Sequence, residues 1–217
     1  MVRYRRVLRR YRKPVRRLQR RRRRLFRRRL RKTSGNLFVK LTKVSVVTFP
    51  LTEVASFPLD AIPLEFPEFA NLAPNFEAYR FHRMKVRVFP HANVGNNTTS
   101  KMSTYCLLPW HQPIPTGGSF ETYLSLDKAK IFRDFNVGKQ IYNLNTLIAT
   151  KAGTDSELIE TAWNKRIELT GDTAYTVRHY GGLMAFQEVK NAPEKYSVDV
   201  TIIRDVYCTF YNQRTLK

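Results

Sequence analysis

The 217-residue chain has a formal charge of +22, and residues 1–32 alone hold 17 Arg, two Lys (Lys13 and Lys32) and no acidic residue, a charge of +19. The other 185 residues have 20 basic and 17 acidic side chains, a charge of only +3. This excludes an evenly basic protein and describes a polyanion-binding tail on a near-neutral globular body. No run of about 18 apolar residues exists to cross a bilayer, and the N-terminus lacks a signal peptide's apolar centre, so a protein made and used inside a cell is expected.

The arm reads as residues 1–36, with Thr33-Ser34-Gly35-Asn36 as a hinge. Its cations are Arg3, Arg5, Arg6, Arg9, Arg10, Arg12, Lys13, Arg16, Arg17, Arg20, Arg21, Arg22, Arg23, Arg24, Arg27, Arg28, Arg29, Arg31 and Lys32. All are assigned to nucleic-acid binding. Guanidinium makes bidentate contacts with phosphate and stacks on bases, and a repeating polyanion demands no special spacing. Repulsion among like charges predicts an extended, disordered arm. A second reading stays open, because Tyr4, Leu8, Tyr11, Val15, Leu18 and Leu25 form a helix-like apolar stripe, broken at Pro14, that would become available once phosphates neutralise the arginines. Arg20, Arg21, Arg22, Arg23, Arg24, Arg27, Arg28 and Arg29 also suffice for a nuclear localisation signal. A mere import tag needs far fewer than 19 charges.

Residues 37–217 read as the folded domain. Leu37 to Phe49 is a strand rich in Val, Thr and Phe, whose alternation slips near Thr42-Lys43-Val44, predicting a bulge. Residues 50–76 carry Pro50, Pro58, Pro63, Pro67 and Pro74 among Phe57, Leu59, Ile62, Phe66 and Phe69. That is too apolar for a linker and too Pro-rich for a regular element, so a functional or packed loop is expected. His82 to Phe89 alternates, with Met84, Val86 and Val88 on one face and Lys85 and Arg87 on the other. Shorter strands are predicted at 103–108, 131–137, 166–170, 174–180 and 183–189, with turns at Gly117-Gly118, Gly171-Asp172 and Gly181-Gly182. One helix is predicted, from the capping-box start Thr154-Asp155-Ser156-Glu157 through Leu158, Ile159, Ala162 and Trp163. The last strand has the plainest period of two: Tyr196, Val198, Val200, Ile202, Val206, Cys208 and Phe210 share a face that only Arg204 interrupts. Many strands, long loops and little helix predict an all-β, eight-stranded antiparallel jelly-roll sandwich.

The search for catalytic chemistry is nearly empty. There is no Walker A, GxSxG, HExxH or GxGxxG, and no acidic pair suited to two-metal work. His82, His91, His111 and His179 lack metal-ligand spacing and read as loop or rim residues. Cys106 and Cys208 fit no zinc pattern and read as buried thiols. Two overlapping sequons in Asn96-Asn97-Thr98-Thr99 read as a polar loop. No cofactor, metal or enzymatic activity is expected.

The segment Asn75-Phe76-Glu77-Ala78-Tyr79-Arg80-Phe81-His82-Arg83-Met84-Lys85-Val86-Arg87-Val88-Phe89-Pro90 resembles an aromatic-Glu-x-Tyr-Arg motif that leads into a strand of alternating basic and apolar residues in circovirus and cyclovirus capsid proteins. Tyr196-Ser197-Val198-Asp199-Val200-Thr201-Ile202 resembles the final strand of that family, and residues 132–150 and Gly181-Gly182-Leu183 are looser matches. The order of features is similar over the whole chain, and the short body favours cyclovirus. The resemblance implies a T=1 icosahedral shell of roughly 60 copies, an inward arm on circular single-stranded DNA, host nuclear import receptors as partners, residence in the virion and the host nucleus, and a cell-surface receptor met by variable outer loops. No receptor residue is carried over. Phe57-Pro58-Leu59 and Phe66-Pro67-Glu68-Phe69 are candidate subunit contacts.

Three other classes compete. A ribosomal-type protein with a basic extension usually spreads Lys over its body, whereas this body is nearly neutral and the arm nearly all Arg. A membrane-active cationic helix would need an unbroken stripe. A β-sandwich enzyme would need a site that the motifs do not supply.

Overall fold

The structure is a computed structural model that describes residues 35–50, 52–91, 103–113, 118–133, 136–151, 158–189 and 197–214; only the backbone is described at 148–151 and 158–163. By contacts the chain divides into Met1–Ser34, outside the described residues, and Gly35–Lys217. The hinge residues Gly35 and Asn36 are tied to the C-terminal end of the chain. Gln213 N donates to Gly35 O at 2.9 Å and Asn212 N donates to Asn36 Oδ1 at 3.2 Å.

In chain order the body comprises β1 (Leu37–Pro50), β2 (Ala55–Ala61), a 3-10 turn (Pro63–Glu65), α1 (Pro67–Leu72), a second 3-10 turn (Ala73–Asn75), β3 (Phe76–Pro90), β4 (Tyr105–Pro109), α2 (Phe120–Leu124), β5 (Lys130–Phe132), β6 (Gly138–Asn143), β7 (Thr146–Lys151), β8 (Leu158–Trp163), β9 (Ile167–Glu168), α3 (Thr173–Thr176), β10 (His179–Phe186) and β11 (Ser197–Gln213). One sheet has the order β1-β11-β3-β6, with β9 on β3, and the other β2-β10-β4-β5. Every pairing is antiparallel, and the chain's first and last strands are neighbours. Eight strands in these two sheets give the expected jelly roll, and β7–β8 and β9 lie between its sixth and seventh strands.

The core lies between the sheets. The alternation of β3 and β11 places Met84, Val86, Val88, Val200, Ile202, Val206 and Phe210 against Leu59, Tyr105, Leu107, Met184 and Phe186, all buried. Phe69 of α1 is fully buried among the rings of Tyr79, Phe81, Tyr175 and Phe210, 4.9–5.9 Å between centroids. Burying one such ring stabilises the fold by roughly 1.5–3 kcal/mol. The other face of β4 and β10 carries Cys106, Leu108, Leu183 and Ala185, which α2 covers with Phe120 and Tyr123. Sheltered on both faces, β4 loses its polar alternation. Among the described residues no helix is long and apolar enough to cross a membrane.

Several expectations are corrected. The β1–β11 register runs unbroken from Leu37↔Phe210 to Pro50↔Ser197, so there is no bulge at Thr42-Lys43-Val44. Lys43 faces inward because a carboxylate awaits it there. The bulge falls on β3 instead, where Tyr207 pairs Arg83 and Cys208 pairs Phe81, leaving His82 extra. The predicted helix through Leu158–Trp163 is strand β8, paired with β7; its capping box at 154–157 lies outside the described residues. A six-residue run gains little from helix nucleation, and Ile159 and Thr161 favour the ladder that Thr146–Lys151 offers.

Gly181-Gly182 is not a turn but a bulge inside β10. A Cβ on Gly182 would meet the Tyr142 ring at 2.5 Å and Leu108 O at 2.8 Å, so glycine is there for close approach. Gly171 does turn the chain, at φ +80°. Residues 174–180 are not one strand, since Thr173–Thr176 is helical. The strand predicted at 131–137 is shorter, Lys130–Phe132, and β6 was not foreseen. The Pro-rich stretch contains a strand, β2, at a sheet edge where Pro58 is tolerated. Its Leu59, Phe66 and Phe69 are fully buried within the subunit, so they serve the core and not a subunit contact.

Candidate nucleic-acid interface

All the arm cations assigned above, Arg3 through Lys32, lie outside the described residues. The body carries two further clusters of charge, and both centre on neighbouring residues of β11. Arg204 points between the sheets and Asp205 points away from them.

Arg204, 4% exposed, explains the lone interruption of the apolar face. Its Nη1 donates to the main-chain oxygen of Asp60 at 2.7 Å and lies 3.7 Å from Asp60 Oδ1, while Nη2 meets Glu65 Oε2 at 3.1 Å. Lys43, its register partner on β1, reaches the same Glu65 oxygen at 3.1 Å, and Arg178 Nε reaches Asp60 Oδ2 at 3.1 Å. Burial pushes the Asp60 carboxyl up, against the pull of Arg178 and Arg204. Three cations and two carboxylates gather here: Arg204 and Asp60 are buried, Lys43 and Glu65 are half-buried, and Arg178 reaches in from the surface. A guanidinium as buried as that of Arg204 depends on such partners, although its Nε has no hydrogen bond.

Nearby, His179 corrects its reading as a loop or rim residue. It is 3% exposed and packs against Phe81 at 4.6 Å. Tyr79 gives its only hydroxyl proton to Ala174 O at 3.0 Å, so His179 Nε2, 3.2 Å away, is the donor to Tyr79 Oη. Burial holds this imidazole neutral and pushes its pKa down to about 3. Cys106 and Cys208 are free and buried as expected, and burial pushes the Cys106 thiol up to about 11.

The outward face of the β1-β11-β3-β6 sheet is different in kind. Successive register rows read Phe38–Thr209–Arg80, Lys40–Tyr207–Arg83–Asn143, Thr42–Asp205–Lys85–Ile141 and Val44–Ile203–Arg87–Lys139. Asp205, 3% exposed, holds the centre: Thr42 Oγ1 donates to it at 2.9 Å, Arg87 Nη2 pairs with it at 3.0 Å and Lys40 Nζ lies at 3.8 Å. Six cations (Lys40, Arg80, Arg83, Lys85, Arg87, Lys139) share the face with two acids, Asp205 and Asp199, a net +4. The whole body is +3, so the remainder of it sums to −1. A near-neutral body thus has one strongly basic face.

Aromatic rings lie among these cations. Phe38 is 61% exposed and stacks on Tyr207 with centroids 6.2 Å and planes 21° apart. The Arg83 guanidinium lies 4.7 Å from the Tyr207 centroid. His82, displaced by the β3 bulge, comes within 6.3 Å of Phe38 and is hydrogen-bonded to Thr209 Oγ1 at 2.7 Å. Sequence alternation puts Lys85 and Arg87 on this face; Lys40, Tyr207 and Arg83 join them only through the strand register.

The two-sheet jelly roll is an architecture that viral capsid proteins share with lectin domains and cupins. The BFDV capsid protein, solved as a 60-mer, superposes with a TM-score of 0.65 at 16% identity, covering 86% of this chain and 98% of that one. The decameric form of the same protein gives 0.56 at 14% identity, over 81% of this chain and 99% of that one. In sequence, the capsid protein of Human associated cyclovirus 1 (isolate Homo sapiens/Pakistan/PK5510/2007) is 45% identical over 187 residues, 84% of this chain and 85% of that protein. The family described as Circovirus capsid protein matches residues 5–214. This chain belongs to the circovirus capsid protein family, with a cyclovirus capsid protein among its relatives, and is a structural component of the virion.

Proposed function

We propose that about 60 copies of this chain close into a T=1 shell that packages circular single-stranded DNA, with residues 1–36 as the packaging arm and 37–217 as the shell domain. The observation that carries this reading is the division of charge, +19 on residues 1–32 against +3 on a capsid-family jelly roll. A body with little net charge lets identical subunits approach. Some 60 arms would bring on the order of 1,100 positive charges to the interior, enough for a polyanion of comparable charge to within a small factor. The same arm is the nuclear address: Arg20–Arg24 and Arg27–Arg29 engage host import receptors, and the protein enters the host nucleus. Contact with a host cell-surface receptor belongs to the same reading without an assigned residue.

Arms repel one another in an empty shell, so DNA or high salt promotes assembly by screening them. Light scattering of the purified protein against added single-stranded DNA tests this. Growth to a uniform particle size with DNA is expected; protein that stays monomeric with DNA, at high salt and at high concentration contradicts the proposal. Fusing residues 1–32 to a cytoplasmic reporter tests import, and cytoplasmic retention of the fusion contradicts that part.

A further inference from the structure

The basic sheet face has a feature that charge alone does not require. Phe38 and Tyr207 form a ring pair at the solvent boundary, with the planar Arg83 guanidinium on Tyr207. The Phe38 ring, 61% exposed on an edge strand, is open to a ligand beside these cations. A second copy of this face is a poor one, since two +4 surfaces repel. A sulfated polysaccharide would satisfy the cations and leave the rings unused. Single-stranded nucleic acid satisfies both, because bases stack on aromatic and guanidinium planes while phosphates meet Lys and Arg.

We propose that Phe38, Tyr207 and Arg83, flanked by Lys40, Lys85 and Arg87, form a second nucleic-acid site on the body, where unpaired bases stack on the ring pair and the adjoining phosphates meet the cations. The proposal rests on the reading of this chain as a DNA-packaging capsid protein and adds a base-contacting surface to the arm's phosphate contacts. Arm contacts are electrostatic and weaken steeply with salt, whereas stacking is not electrostatic and persists. Asp205 keeps Arg87 and Lys40 upright beside the rings, so the face is pre-organised rather than recruited.

The test compares full-length wild type with Phe38→Ala/Tyr207→Leu, Arg83→Lys and the control Ile131→Ala on the other sheet. Each is titrated at low and high salt with an oligothymidylate, an abasic deoxyribose-phosphate oligomer of equal length and a heparin fragment. At high salt the wild type is expected to prefer oligothymidylate to the abasic oligomer. The double variant is expected to lose on the order of 10- to 100-fold in oligothymidylate affinity, with abasic binding unchanged. Ile131→Ala, exposed on β5 of the other sheet, should retain wild-type binding, and Arg83→Lys should show a smaller, base-dependent loss. Photocrosslinking of a bromodeoxyuridine oligomer to wild-type protein, mapped by mass spectrometry, reads the site without substitution and should mark Phe38 or Tyr207. Crosslinks confined to residues 1–32, or equal losses for the two oligomers, would overturn the site while leaving the arm's role intact. High-salt binding of heparin that the double variant loses as completely as it loses oligothymidylate would assign the face to polysaccharide and also overturn it. A wild type that binds neither oligomer even at low salt would overturn both readings.

Discussion

Arg204 and Asp205 are consecutive, yet the strand pleat gives them opposite surroundings and opposite lessons. Between the sheets, Arg204 draws Asp60 and Glu65 around itself, and Lys43 and Arg178 complete the set. These charges are spent on one another. On the far side, Asp205 holds Arg87 and Lys40 but leaves the face with a net +4. The inner cluster joins β1, β2 and β11 across the sandwich, and the outer one leaves a basic surface open. A charged side chain in a strand therefore carries no functional meaning until its partners are known.

Breaking the inner cluster should have the largest effect. Arg204→Met removes the central cation and leaves Asp60 to Arg178 and Glu65 to Lys43, and thermal unfolding should show a loss of about 2–3 kcal/mol. Lysine at 204 should recover only part of that, because it cannot reach the Asp60 main chain and Glu65 together. Acidification should come next. The folded His179 pKa, about 3, lies below the ordinary 6.5, so its neutral form contributes stability that is complete above about pH 6.5 and is lost as pH falls toward 3. Asp60 works the other way: its raised carboxyl contributes stability at low pH that is lost as pH rises through its folded value. Melting temperature followed from pH 7 to pH 4 should fall in wild type and fall distinctly less in His179→Gln. Equal slopes would show that the imidazole is not held neutral.

The outer cluster should yield more gently. Asp205→Asn leaves Arg87 and Lys40 near solvent, so a loss of about 1–2 kcal/mol is expected. The same change raises the face from +4 to +5, so DNA affinity at low salt should rise while stability falls. Opposite movement of those two quantities, in melting and oligonucleotide titration, sharpens the contrast with Arg204→Met, where stability should fall and DNA affinity of the folded protein should stay unchanged. Smallest of all, Lys139→Ala should leave melting unchanged and lower the salt slope of binding by no more than about one ion.

The elements most legible in the sequence were those with one buried face. The alternation of Val198 to Phe210 gave β11, and that of Met84 to Val88 gave β3. Segments governed by tertiary partners were not legible. Leu158–Trp163 has helix spacing and becomes a strand because β7 pairs with it. Gly181-Gly182 looks like a turn and is a bulge inside β10, where Tyr142 leaves no room for a side chain on Gly182. Lys43 looked like a bulge signal and Arg204 like an isolated anomaly; they are the two ends of one register pair, joined through Glu65. The outer site was half visible, since Lys85 and Arg87 alternate plainly. Phe38, 169 positions before Tyr207, could be joined to it only by the pairing of the first strand with the last.

The central claim is that the outward face of the β1-β11-β3-β6 sheet, together with the arm, holds the packaged strand. A cryo-EM reconstruction of particles assembled with single-stranded DNA tests it most directly. The expected result is a closed shell in which Phe38, Tyr207 and Arg83 face the lumen, with density for stacked bases against the ring pair. A shell in which that face lies outside, or is sealed against a neighbouring subunit with no nucleic acid beside it, would contradict the account.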